Sequence, residues 1–256
     1  MGALRGSAIM NAVTALTQYT NHPKVFERYL DLVGSAHTAK VYISECLLAV
    51  TNSADLQACT PQSIITSSLR AVTMSLHLDL DQAYLVPFKD QCTMITGYKG
   101  MYDMGMRTGK YRLLHAGHIA EGWVVKLNPI TGEATHEQEP GAPRGVVAHF
   151  TLMDGFSKTI YMTLPEIHAH AAQYSKSYTW SKSPWKASDR SRERMEVKTA
   201  FRRLMLEWGI MSPIARQLIE TEEEQQPDDT LPSIEGMEII EGAKRDKQEI
   251  IKDCGF

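Results

Sequence analysis

Residues Gln82–Arg107 read QAYLVPFKDQCTMITGYKGMYDMGMR, and it is here that the chain changes from helical periodicity to short strands. Gln82–Phe88 and Cys92–Thr96 are apolar runs on either side of Lys89-Asp90-Gln91, a turn-like spacer that predicts a hairpin. Gly97–Arg107 is apolar and Met-rich, which predicts a helix with Gly109 as its C-cap.

Upstream, residues 1–76 read as a helical layer. A weak pattern runs from Ile9 to Tyr19, followed by Val25–Val33 and Ala39–Val50. The last helix is sharply bounded: Thr60 is an N-cap, Pro61 takes the first helical position, and Ile65, Leu69, Val72 and Leu76 recur at i, i+4, i+7 and i+11. Downstream, strands are expected at Leu113–Leu127, Val146–Met153 and Lys158–Met162, with Asn128–Pro143 as a solvent loop. Thr163-Leu164-Pro165-Glu166 has the form of a capping box and opens a helix to Tyr174. Residues 175–188 are polar, basic and aromatic without a period, and so form a loop. A strong helix then runs from Asp189 to Trp208. Its stripe of Val197, Ala200, Phe201, Leu204, Met205 and Trp208 marks the core face, and Arg194, Lys198 and Arg202 run along one edge of it.

The 256 residues are 43% hydrophobic and 22% charged, which suits a globular protein with a real core and excludes a disulfide miniprotein, a coiled coil and a membrane span. Formal net charge is only −3, but the charges are segregated. Residues 1–85 carry 5 basic and 6 acidic side chains, 86–216 carry 18 and 12, and 217–256 carry 4 and 12. A basic body with an acidic end is the asymmetry expected of polyanion or partner binding. Three parts follow: a helical region at 1–76, an α+β core at 77–216, and an acidic, flexible tail at 217–256. In the tail, Glu222–Asp229 reads as a disordered linker and Met237–Lys252 as a short helix that folds with a partner. With no apolar span and no signal-peptide core, the expected location is the cytosol. Cys46, Cys59, Cys92 and Cys254 sit at irregular spacings, which fit neither a disulfide framework nor a zinc site; they read as three buried or half-buried thiols and one tail residue.

Most of the chemistry lies between Tyr174 and Arg203. Nine basic residues (Lys176, Lys182, Lys186, Arg190, Arg192, Arg194, Lys198, Arg202, Arg203) stand against Asp189, Glu193 and Glu196, with Tyr174, Tyr178, Trp180 and Trp185 interleaved. Cations neutralise phosphates and exposed aromatics give bases a flat face to stack on, so the combination suits a groove that tracks a nucleic-acid strand. The competing reading is a solvated helix face beside a loop whose aromatics fold back onto the core.

Enzyme readings fail on geometry. Gly105–Tyr111 resembles a phosphate loop, but three residues rather than four separate the glycines and Tyr111 stands where Ser or Thr must bind Mg²⁺. Asp79-Leu80-Asp81 can be a metal-binding pair or a solvated turn. His168 and His170 diverge on a helix, and His115 and His118 lack a ligand pattern, so all four read as structural or surface residues.

Three stretches together resemble the RecT family of phage recombinases, relatives of the lambda Red beta single-strand annealing proteins. They are Thr60–Ile65 leading through Leu69-Arg70-Ala71 into Gln82–Phe88; Ile95–Met101 with Arg107-Thr108-Gly109; and Ser183-Pro184-Trp185-Lys186 followed by Met195–Leu204. Order and spacing match over roughly residues 25–215. Two departures stand out: Leu78–Asp81 replaces a Pro/Gly-rich link before the first strand, and Met195-Glu196-Val197-Lys198-Thr199 lacks one family cation.

The resemblance implies an α+β fold, a small antiparallel sheet crossed by a helix, with the N-terminal helical layer, the long C-terminal basic helix and the disordered acidic tail around it. It implies no enzyme activity but ATP-independent annealing of complementary single strands by rings or filaments, beside a 5′-to-3′ exonuclease. No cofactor is required, with Mg²⁺ at most modulating DNA binding. The expected DNA-binding residues are Arg194, Lys198, Arg202 and Arg203 on the long helix, Lys182, Trp185 and Lys186 on the loop, and Tyr98, Lys99 and Arg107 at the central helix. Phe201, Leu204 and Trp208 are expected in the core. Partners are single-stranded DNA and annealed duplex, further copies of the chain, the exonuclease and the host single-strand-binding protein, the last two through residues 217–256. The setting is the cytoplasm of a bacterial host, the gene being phage or prophage encoded. A metal-dependent nuclease built on Asp79 and Asp81, or an assembly protein indifferent to nucleic acid, are the alternatives.

Overall fold

Helix caps written into the sequence start the first part of the molecule. The computed structural model describes residues 12–175, 178–181, 183–188 and 190–222. Helix α1 covers residues 12–20, α2 is Pro23–Val33, α3 is Ala36–Thr51 and α4 is Pro61–Thr73. His22 and Pro23 open α2, and Gly34 ends it in the left-handed region at φ 66°. Ser35 caps α3 through Thr38 N, and Thr60 caps α4 through Ser63 N. Leu16, Tyr19, Val25, Tyr29, Cys46, Val50, Ile65 and Val72 form one buried cluster among these helices.

The predicted hairpin is present as β1 (Ala83–Phe88) and β2 (Gln91–Thr96), antiparallel with Leu85 opposite Met94. Two serines one helical turn apart on α4 hold β2: Ser63 Oγ accepts from Cys92 N at 3.0 Å, and Ser67 Oγ donates to Cys92 O at 2.8 Å. Helix α5 (Tyr98–Arg107) follows at once. Gly97 N donates to Gln82 O at 2.8 Å, and a Cβ at Gly97 or Gly100 would collide with the carbonyl of Asp81 or Gln82, respectively. The two glycines therefore let the helix begin in backbone contact with the turn before β1, which accounts for their spacing.

The chain divides into two compact units, residues 1–100 with 217–256 and residues 101–216. The boundary expected at 76/77 thus falls at 100/101. The serine bonds from α4 to β2 explain why the hairpin goes with the helices rather than with the core that follows. The tail expected to begin flexibly at 217 is also corrected over its first residues. Arg70 donates to Leu218 O and Thr221 Oγ1, each at 3.2 Å, and the buried Glu222 carboxylate accepts from Thr96 N at 2.8 Å. The linker beyond Glu222, the helix at Met237–Lys252 and Cys254 lie outside the described residues. Cys46, Cys59 and Cys92 are buried free thiols.

In the second unit, β3 (Tyr111–Ile119), β6 (Gly145–Leu152) and β7 (Ser157–Thr163) make an antiparallel sheet in the order β3-β6-β7. The expected single strand over Leu113–Leu127 is broken at Gly122 (φ 80°), and its second half pairs as β4 (Trp123–Leu127) with β5 (Ala134–Gln138), inside the expected solvent loop. Helix α6 (Leu164–Tyr174) carries the capping box, with Thr163 and Glu166 bonded reciprocally. Helix α7 (Arg190–Glu207) packs on the sheet, burying Phe201 and Leu204 with Val146, Ala148 and Phe150 in the core of this unit. The α+β class and the small sheet with a helix against it are as expected. Trp208 is not: it lies past the end of α7, is 47% exposed, and carries Lys158 Nζ 4.2 Å from its ring centroid. Helix α8 is Pro213–Glu220. No helix among the described residues is long and apolar enough to cross a membrane.

Candidate nucleic-acid interface

The buried face of α7 fixes where its cations go. With Ala200, Phe201, Leu204 and Met205 turned inward, Arg194, Lys198 and Arg202 fall in one row along a flank of the helix, four residues apart. Arg194 is exposed, and Lys198 and Arg202 are half-buried, so their aliphatic stems cover apolar surface while the charges sit at the edge. Arg203 does not join this row. One residue on, it is turned by about 100° to the other side, where its Nε donates to Glu207 Oε1 at 2.8 Å. Burial, and then the Arg203 charge, push the pKa of His170 on α6 below the ordinary imidazole value.

On the loop, the sequence pattern left open which aromatics are exposed. Trp185, expected as a base-stacking residue, is 5% exposed. It sits in the short turn Pro184–Lys186, opened by Ser183 Oγ accepting from Trp185 N, with Tyr178 and His168 edge-on at centroid distances of 5.7 Å each. The ring is thus covered in this structure and presents no open face to a base. Trp180 and Tyr174 are the exposed aromatics of the segment. Lys186 is exposed and donates to Thr179 O at 2.8 Å. Lys182 lies outside the described residues.

What holds this loop against α7 is an acidic residue inside the basic run. Glu196 is 3% exposed. Its Oε2 meets His118 Nε2 of β3 at 2.8 Å, its Oε1 meets His168 Nε2 of α6 at 3.2 Å, and Arg192 Nε lies 3.6 Å from the same Oε1. His168 Nδ1 is 3.5 Å from the Tyr178 hydroxyl, which carries the connection into the loop. Sequence reasoning missed Glu196 and took the two histidines singly. The available signal was its position at i−4 and i−8 from Ala200 and Leu204, in line with the core stripe.

In the first unit, Tyr98 is half-buried and Lys99 exposed, its Nζ 3.1 Å from Asp81 Oδ2. In the second, Arg107 Nε is 2.9 Å from Asp103 Oδ2 one turn earlier on α5. Exposed pairs of this kind are weak and screened, so an incoming phosphate can exchange for either carboxylate. Asp79 and Asp81 part company: Asp81 faces Lys99, whereas Asp79 joins Glu45 and His77, the residues of this unit grouped so that they could hold a metal. The Gly105–Lys110 segment is the end of α5 and a turn, with Gly109 at φ 66°.

A family model described as the RecT family matches residues 41–234 of the chain. A protein of Bacillus subtilis (strain 168), described as uncharacterized protein YqaK, is similar to it. The two are 31% identical over 237 residues, which is 90% of this chain and 80% of the relative.

Proposed function

Because this chain belongs to the RecT family, whose members bind single-stranded DNA and anneal complementary strands in recombination, we propose that it anneals single strands without ATP and as a ring or filament of its own copies. The observation that carries the reading is the family match at 41–234, because that span includes both the Gly97–Gly100 helix entry and the Arg194–Lys198–Arg202 row. In this mechanism the row holds successive phosphates from one flank of α7, and Lys186 and Lys182 add charge from the loop. Lys99, beside Tyr98, and Arg107 exchange their carboxylate partners for phosphates. Trp180 and Tyr174, rather than Trp185, offer ring faces to bases. Backbone contacts leave base edges outward, so sequence is tested by Watson–Crick pairing and not by the protein. Arg203, on the other flank of α7, contributes at the margin. A cognate 5′-to-3′ exonuclease and the host single-strand-binding protein are read by the chain beyond Glu222, in a bacterial cytoplasm; Mg²⁺ modulates binding without being required.

The test is equilibrium binding of two dye-labelled oligonucleotides of equal length and unrelated sequence, in Mg²⁺, followed by sizing of the DNA. Equal affinities, a linear fall of log K with log salt at roughly −0.7 per phosphate neutralised, and strands recovered at full length are expected. Affinity for one sequence only, or shortened strands, would replace annealing by base-specific recognition or by cleavage.

A further inference from the structure

We propose that Glu45, His77 and Asp79 form a binding site for a divalent transition-metal cation of the manganese or zinc class. One carboxylate oxygen from each acid and one imidazole nitrogen lie within 4.8 Å of one another. All three residues belong to the helical unit, and none of them is among the residues assigned to DNA.

The donors are prepared to different degrees. Glu45, on α3, is 8% exposed, and its Oε2 is already oriented by the Leu78 amide, which donates at 3.0 Å. Its Oε1 lies 2.6 Å from His77 Nδ1. The ring of His77 is stacked on Tyr42 at a centroid distance of 4.6 Å and an interplanar angle of 12°. Its other nitrogen, Nε2, is 3.4 Å from the Tyr42 hydroxyl. The parallel stack on Tyr42, whose hydroxyl lies over Nε2 and not in the imidazole plane, holds the plane of the His77 ring. The turn carrying the ligands is pinned in turn: His77 N donates to Gln82 Oε1 at 2.9 Å, and Gln82 N donates back to His77 O at 3.2 Å.

Two acids and an imidazole meet at this point, a donor set that suits a divalent cation. Burial raises the pKa of the Glu45 carboxyl; the bonds to His77 and Leu78 oppose that, and the charge of Asp79 adds to it. Two carboxylates thus converge on one imidazole nitrogen. A metal ion would take the Nδ1 lone pair, with the imidazole N–H then on Nε2. The separation between Nδ1 and Oε1, 2.6 Å here, would then open to about 3–3.4 Å, as metal–donor bonds near 2.1 Å at octahedral or tetrahedral angles require. Asp79 is exposed, so water completes the coordination from the solvent side. One nitrogen and two carboxylate oxygens favour Mn²⁺ or Zn²⁺ over Mg²⁺, whose sites are built from oxygen alone. The ion would tie α3 to the turn that leads into β1, and so to the backbone against which Gly97 and Gly100 seat the start of α5.

The experiment is titration of the full chain with Mn²⁺ alone, followed by electron paramagnetic resonance of the free ion and by thermal melting. One saturable site per chain is expected, with a melting temperature that rises as it fills. Asp79→Asn, a change at an exposed position, should weaken that site about tenfold or more while leaving the metal-free melting temperature unchanged. A parent chain without a saturable site, or a site that Asp79→Asn leaves intact, overturns the proposal. No DNA enters the measurement, so its failure leaves the annealing reading untouched.

Discussion

Replacing Arg194, Lys198 and Arg202 together by alanine is expected to lower single-strand affinity by about 100-fold at moderate salt, taking about 1 kcal/mol net for each charge-assisted phosphate contact. With three phosphates no longer neutralised, the slope of log K against log salt should also flatten by about 2. The fall in affinity should be the same for every sequence, because bonds to phosphate carry no base information. Alanine is the best helix former, so α7 itself should persist; the stems of Lys198 and Arg202 cover apolar surface, and a modest fall in melting temperature accompanies the change. Arg203→Ala is the internal control. It removes a cation of the same helix that faces the other flank, and it should cost far less. A loss from Arg203→Ala of about one-third of the triple variant's, on a logarithmic scale, would mean that net charge, not the row, attracts DNA.

The second large effect is expected at Glu196. Substitution by alanine leaves His118, His168 and Arg192 without their shared acceptor in a largely buried position. His168 and Arg192 are partly exposed and can turn to water, so most of the cost comes from the His118 pair, and about 1–3 kcal/mol is expected. The consequence for function is indirect: Trp185, Tyr178 and the loop that carries Lys186 lose the anchor that His168 provides. Calorimetric melting and strand binding should therefore fall together, with the salt slope preserved because the α7 row is untouched. Glu196→Gln, which keeps the shape and one acceptor, should recover part of both. An unchanged melting temperature for Glu196→Ala would show that the network does not hold the loop.

Local signals in the sequence were sufficient where local physics decides. The Lys89-Asp90-Gln91 spacer, the Thr60-Pro61 and Thr163–Glu166 helix starts and the Gly109 stop each act within a few residues, and each appears where expected. The β4–β5 hairpin was illegible because every residue of β5 is exposed, which leaves no apolar alternation to read. The unit boundary was missed because the hairpin is attached through the hydroxyls of Ser63 and Ser67, and serines on a helix look like solvent-facing residues until their partners are known. In the same way Glu222 looked like the start of an acidic run, whereas its carboxylate caps the amide of Thr96, far away along the chain.

At the interface, the row on α7 was visible as a four-residue period, but the separation of Arg203 from it required knowing which face is buried. Trp185 and Trp180 are alike in sequence. The difference between a covered ring and an exposed one is made by His168 and Tyr178, which reach Trp185 from α6 and from the loop itself. Long-range pairing is also why Glu196 escaped: its partners His118 and His168 sit on other elements, and none of the three forms a pattern alone.

The central claim is that this chain pairs complementary strands by holding their backbones. Two complementary oligonucleotides, labelled with a donor and a quencher, should be mixed with the full chain in the absence of ATP. Duplex formation well above the spontaneous rate is expected, independent of sequence and abolished in the Arg194, Lys198 and Arg202 alanine variant. Annealing no faster than without protein, at concentrations where both strands are bound, would contradict it.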